Sequence, residues 1–168
     1  MTLHELETFY SNIPSKYELT ELSMYTHRDQ HNLGSVFFLH LLYDAAVCDL
    51  TRISLPGFAF PLADAFHDAP LDFLSQCQRR SWFHANKISA LIRKGRSHGR
   101  LAFDDQFVGD AAFESAKIQI VFAATMSSKP DFIRTTADNI RTNIELLDML
   151  SQDKAESNLY VRRRPVYP

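Results

Sequence analysis

Apolar residues recur along this chain at helical spacing in five separate stretches, and each stretch predicts a helix. The first, Leu3 to about Tyr10, sets Leu3, Leu6, Phe9 and Tyr10 on one side. It stops near Asn12-Ile13-Pro14, because a proline biases its predecessor away from helical angles. The polar stretch that follows, to about His31, reads as irregular. From about Asn32 to Arg52 the apolar residues wrap most of the circumference, as in a helix buried at the middle of a bundle. Ile53 to Ala69 reads as a loop, apolar but without period, punctuated by Pro56-Gly57 and Pro61.

The third helix is predicted from about Pro70 to Lys94, with Leu74, Cys77, Ser81, Ala85, Ile88 and Ile92 on one face and Leu71, Trp82 and Leu91 widening it. Gly95 stands where a C-terminal cap is expected, and Gly95 to Gly109 reads as a loop. A fourth helix, about Asp110 to Met126, places Phe113, Ala116, Ile120, Ala123 and Ala124 toward the core. A fifth, about Pro130 to Gln152, carries the most regular stripe: Ile133, Ala137, Ile140, Ile144 and Leu147. Its expected water side carries Arg134, Asp138, Asn139, Arg141 and Glu145. No stretch reads as a strand. The pattern predicts an all-α fold, an irregular bundle of about five helices with one central buried helix. Residues 1–152 form the helical domain in this reading, and 153–168 a polar tail.

Composition narrows the function. A formal net charge of −2, from 18 Lys plus Arg against 20 Asp plus Glu, lacks the basic excess needed to neutralise a nucleic-acid backbone. Direct nucleic-acid binding by these residues is therefore not expected. With 5 glycines in 168 residues, a glycine-rich phosphate cradle is not expected either. Cys48 and Cys77 lie far apart and lack the clustered ligands of a zinc site. They read as free thiols, a usage that fits a reducing, intracellular compartment. The run from Val36 to Leu50 is interrupted by His40, Asp44 and Asp49, and reads as too short and too charged to span a bilayer. No signal peptide is recognised at the start.

Few residues suggest chemistry. His40 and Asp44 share a helix face, as a base and its orienting carboxylate would; a buried imidazole satisfied by the neighbouring acid is the simpler reading. His84 has Cys77 and Ser81 on its own helix, but two helical turns, roughly 10 to 11 Å, separate it from the thiol. Asp49–Arg52 and Glu114–Lys117 are spaced as helical ion pairs. Asp104, Asp105 and Asp110 lack the spacing of a calcium loop, and Arg162-Arg163-Arg164 is a short basic tail. Phe58, Phe60 and Phe66 offer a possible ligand or partner surface, with core filling the alternative. No cofactor, metal site or catalytic residue is assigned.

Four short motifs in order carry a family resemblance. Leu39-His40-Leu41-Leu42-Tyr43, continuing through Cys48-Asp49-Leu50 to Arg52, resembles a helix of the middle homology region of fungal zinc-cluster transcription factors. Ala69-Pro70 to Cys77, then His84-Ala85-Asn86-Lys87-Ile88, is similar to that region's next helix. Phe113-Glu114-Ser115-Ala116-Lys117-Ile118-Gln119 and Asn139-Ile140-Arg141-Thr142-Asn143-Ile144, with Leu146-Leu147, are similar to later ones. Asp44 departs from the pattern, which often has a second histidine there. The resemblance spans about Leu3 to Leu150, the C-terminal half of the region, without the six-cysteine zinc cluster or coiled coil.

The resemblance implies a non-enzymatic regulatory module that works in the nucleus and modulates transcription without itself contacting DNA. Its expected partners are proteins or missing domains of the same factor, or further copies of the chain held through exposed apolar surface; nucleic acid and membrane are not among them. Helices shaped to pack against absent companions are expected to leave an apolar face uncovered. Alternatives are a domain sensing a small apolar effector beneath the Phe58–Phe66 loop, or a small metal-dependent enzyme using His40, Asp44 and His84.

Overall fold

The computed structural model describes residues 2–58, 68–103, 106–126 and 130–162, with 106, 126 and 153–162 as backbone only. Among them there is no strand. Six α-helices follow one another: α1 Leu3–Ser11, α2 Glu21–Asp29, α3 Leu33–Thr51, α4 Leu71–Gly95, α5 Gln106–Met126 and α6 Pro130–Arg162. Short 3-10 turns occupy Ser15–Tyr17, Arg52–Ser54 and Arg96–Leu101. The all-α bundle is as the pattern predicts, with one helix more.

That extra helix, α2, lies in the polar stretch expected to be irregular. Its start is a capping box in which Ser23 stands where Glu or Gln is usual. The Ser23 amide donates to Thr20 Oγ1 at 3.1 Å and the Thr20 amide donates to Ser23 Oγ at 2.9 Å. Its end is a Schellman closure without glycine. His31 takes the left-handed conformation (φ 58°), its amide donates to Arg28 O, and the Asn32 amide donates to His27 O. Neither signal is one that a search for Glu and Gly would find. A capping box also opens α1, between Thr2 and Glu5.

The helix α3 is the buried centre, packed by α1, α2, α4 and α5. Leu33, Phe37, Leu41 and Val47 are all essentially inaccessible. With its 3-10 extension to Ser54 it has 22 residues, with a mean hydropathy of 1.5 over its most apolar window. By length and composition alone that is enough to cross a membrane, which corrects the expectation that the run is too short. Its surroundings are those of a core helix: Phe37 meets Phe103 edge-on at 5.5 Å, and its buried Asp44 is matched by partners from α4.

Gly95 is the last residue of α4 and keeps helical angles (φ −75°). The reason for glycine there is contact rather than the expected left-handed cap. A Cβ at this position would lie 2.4 Å from Phe103 Cζ. The expected loop after it instead holds a 3-10 turn, and α5 begins at Gln106. α6 likewise runs past Gln152 to Arg162, into the stretch expected as tail.

The largest departure concerns which faces of α5 and α6 point inward. The expected core stripes, Phe113 and Ile120 on α5, Ile133 and Ile144 on α6, are each half exposed. What α6 buries is Thr136, Asn139, Thr142, Asn143 and Leu146, three of which are among or beside residues assigned to its water side. Amides reaching across the seams explain the inversion. Gln119 Nε2 donates to Ala85 O (3.2 Å) and Ser89 Oγ (2.9 Å) on α4. Asn139 Nδ2 donates to Gln119 Oε1 (3.0 Å) and Asn86 Oδ1 (2.6 Å). Asn143 Nδ2 donates to Ala112 O (2.9 Å) and Ser115 Oγ (2.7 Å). A buried amide with partners loses little, whereas one without them costs about 1–3 kcal/mol. The aromatic stack of Trp82 on Phe122 and Phe132 closes the far end of the same three-helix layer.

Candidate functional site

Two features distinguish this bundle from simple packing: an ionic and aromatic cluster where α1 crosses α3 and α4, and the uncovered apolar stripes on α5 and α6.

The cluster is built around Asp44, on α3 and fully buried. Its Oδ1 accepts from His84 Nδ1 at 2.7 Å and pairs with Lys87 Nζ at 3.3 Å. Its Oδ2 is buried without a partner among the described residues. The spacing of 84 and 87 puts both donors on one face of α4. His40, one turn before Asp44, is not its partner. The Tyr17 carbonyl can only accept, so His40 Nε2–H donates to it at 2.7 Å, and Nδ1 then accepts the Tyr10 hydroxyl at 2.6 Å. The expected His40–Asp44 pairing is thus replaced by two separate arrangements, one joining α3 to α1 and the following turn, the other joining α3 to α4.

Tyr10 also stacks on Tyr43, rings 3.6 Å apart and nearly parallel. The Lys87 ammonium faces Tyr10 and Tyr43 at 5.6 Å each and Phe83 at 5.8 Å. Burial, helped by the negative charge of Asp44 and by Tyr43, pushes the Tyr10 hydroxyl up to about 12. Burial raises Tyr43 as well, with Glu7 and Asp44 adding to it and Arg80 opposing. Glu7 on α1 pairs with Arg80 on α4 at 2.8 Å.

For chemistry this arrangement offers an oriented imidazole but no activated nucleophile beside it. The Cys48 thiol donates to the Ser81 carbonyl at 3.5 Å, and burial pushes its ionisation far up. Cys77 is half buried and also raised by burial. Both cysteines are free thiols, as expected. Among the described residues no three His, Cys, Asp or Glu side chains gather as metal ligands, so His40, Asp44 and His84 do not form the set that the metal-enzyme alternative needs. The pairs Asp49–Arg52 (3.0 Å) and Glu114–Lys117 (2.9 Å) form as spaced, and Arg52 additionally reaches Glu114.

Phe58 packs against the core, its ring facing Arg52 and Lys117 at 5.7 and 5.4 Å. Phe60 and Phe66 lie outside the described residues, as do Asp104, Asp105, Arg163 and Arg164. The pocket expected beneath the Phe58–Phe66 loop falls with them.

On the outer side, α6 exposes Ile133, Ala137 and Ile144 with Ile140 partly covered, while Leu147, next in the four-three rhythm, packs against the core as expected. α5 exposes Phe113 and Ile120, seven residues apart, with Ala116 and Ala123 between and after them partly covered. Strict four-three spacing is the signature of a seam that packs against another helix. Sequence reasoning found the stripes, but Phe113, Ile120, Ile133 and Ile144 within them are half exposed rather than buried.

The chain is similar to Zn(2)-C6 fungal-type transcription factors of Fusarium oxysporum f. sp. lycopersici. It is 22% identical over 150 residues to FTF2, a match covering 89% of this chain and 13% of FTF2. Against two forms of FTF1c it is 22% and 24% identical over 150 residues, covering 89% of this chain and 15% of each relative. The chain therefore spans about one seventh of the length of these curated relatives. No family model matches it, and no solved structure does.

Proposed function

We propose that this chain is the helical regulatory region of a fungal Zn(2)-C6 transcription factor, or a short relative of that region. It acts in the nucleus by packing against protein, either other domains of the same factor or a separate partner, and does not itself grip DNA. The observation that carries this reading is the outward stripe. Phe113, Ile120, Ile133 and Ile144 are each at least half exposed at heptad-like positions, while polar amides fill the interior seam beside them. Leaving large apolar groups in water on two adjacent helices is unfavourable in isolation and favourable when a helix covers them. The similarity to the named factors over 89% of the chain supports the transcriptional setting. The charge balance of −2 supports the absence of a phosphate-gripping surface.

A reporter assay tests it. The chain is fused to a heterologous DNA-binding domain in a fungal host, and reporter output is compared with that of variants carrying Phe113→Ser with Ile144→Ser. Output should change by several-fold with the double variant at equal protein level. Unchanged output, or sequence-specific DNA retention by the isolated chain, would remove the basis for the reading.

A further inference from the structure

The first helix, like α2 with its single buried apolar residue Met24, has little apolar seating. α1 buries a single apolar side chain, Leu6, and leaves Phe9 mostly in water. Its remaining attachments are polar or aromatic: Tyr10 to His40, Tyr10 stacked on Tyr43, and Glu7 to Arg80. The next element is pinned separately. His40 Nε2 donates to Tyr17 O, and His27 Nε2 donates to Lys16 O at 2.8 Å, so histidines from α3 and α2 hold adjacent carbonyls of the Ser15–Tyr17 turn. Between the weakly seated helix and the pinned turn lie Asn12, Ile13 and Pro14.

Beneath α1 sits one of the buried polar atoms that lack a partner among the described residues. Among the described residues Asp44 Oδ2 is buried without a partner, and the charge of its carboxylate is offset by Lys87, whose ammonium is also the cation facing the stacked Tyr10 and Tyr43 rings. One cation thus ties α1 to both helices under it.

We propose that α1 is a displaceable strap, hinged at residues 12–14 and latched through Tyr10 by the Lys87 ammonium, and that its opening uncovers a surface made of His40, Tyr43 and Lys87 over Asp44. Elements with few buried apolar contacts open at far lower free energy than the global fold, so opening is local. The strap is a device of the fold and does not depend on the transcriptional reading.

Amide hydrogen exchange on the full chain, resolved by helix, tests it. Amides of α1 should exchange at least about tenfold faster than those of α3 and α4. Lys87→Gln should speed α1 by roughly a further tenfold and leave α5 and α6 unchanged, whereas Lys87→Arg, which keeps the cation, should stay within about twofold of the natural chain. Tyr10→Ala touches only the strap side and should reproduce the Lys87→Gln pattern even if that variant folds poorly. Exchange of α1 in step with α3 and α4, or acceleration of every helix alike by both variants, overturns the proposal.

Discussion

Asn139 on α6 donates its side-chain amide to the side-chain carbonyl of Gln119 on α5 at 3.0 Å, inside the bundle. The two residues stand at the crossing of three helices, because Gln119 in turn reaches Ala85 and Ser89, and Arg93 donates to Asn139 Oδ1 at 2.8 Å. This relay fixes the rotation of α6. Turning the isoleucine stripe inward would strand the Gln119 carbonyl oxygen and the Asn86 oxygen that now accept from Asn139.

Asn139→Ala should therefore destabilise the fold by about 2–3 kcal/mol, the cost of orphaning buried polar groups. Removing both amides with Gln119→Leu and Asn139→Leu together should cost less than the sum of the singles, since the bond between the two side chains is then lost only once. Urea unfolding midpoints at constant slope check both. A loss below about 0.5 kcal/mol for Asn139→Ala would mean the seam is wet rather than buried.

Two residues of α6 only two positions apart should respond oppositely. Leu146 is 1% exposed and Ile144 is 50% exposed. Leu146→Ala should cost about 2–5 kcal/mol as a core cavity, while Ile144→Ser should stay within about 1 kcal/mol of the natural chain. The second change should instead lower hydrophobic-dye binding and any concentration-dependent association, as should Phe113→Ser. Thermal melts beside dye titrations and sedimentation separate the two effects.

These contrasts mark where sequence reading succeeded and where it stopped. The helix positions of α3 and α4 were legible because their apolar residues dominate and their ends carry proline or glycine. On α4 the predicted stripe from Ser81 through Ala85, Ile88 and Ile92 is buried as expected. The inward face of α6 was not legible: its isoleucines satisfy every rule for a core stripe, and only the cross-helix amide partners reverse the answer. Those partners sit 20 to 53 residues away, beyond any local pattern. The same distance hid the Asp44–His84 pair, 40 residues apart, behind the nearer and unformed His40–Asp44 pairing. Similarly, α2 went unseen because Ser23 and His31 do the work usually given to Glu and Gly.

Gly95 supports a sharper test of close packing. The ring of Phe103 lies where a side chain at 95 would begin, at 2.4 Å from an added Cβ, and Phe103 is itself buried. Gly95→Ala should cost about 1–3 kcal/mol through forced displacement, despite the better helix propensity of alanine. Pairing it with Phe103→Leu should recover part of the loss, because the smaller residue vacates the contact. A stabilised Gly95→Ala chain, read from its denaturation midpoint, would show that the helix end yields freely.

Alkaline titration probes the cluster at α1. Tyr10 is held up to about 12 by burial and by the nearby Asp44 charge, whereas a free tyrosine ionises near 10. The folded chain therefore keeps a proton on Tyr10 that the unfolded chain releases. The stabilisation this represents is fully present below pH 10, and is lost as pH climbs toward about 12. In the folded chain, phenolate absorbance should show a late-ionising tyrosine that disappears in Tyr10→Phe. Stability of the natural chain should also fall more steeply with rising pH than that of Tyr10→Phe over this range, because the variant has no phenol to deprotonate at that position. Identical slopes for the two chains would mean that Tyr10 stands in water and that α1 does not rest on the Asp44 cluster.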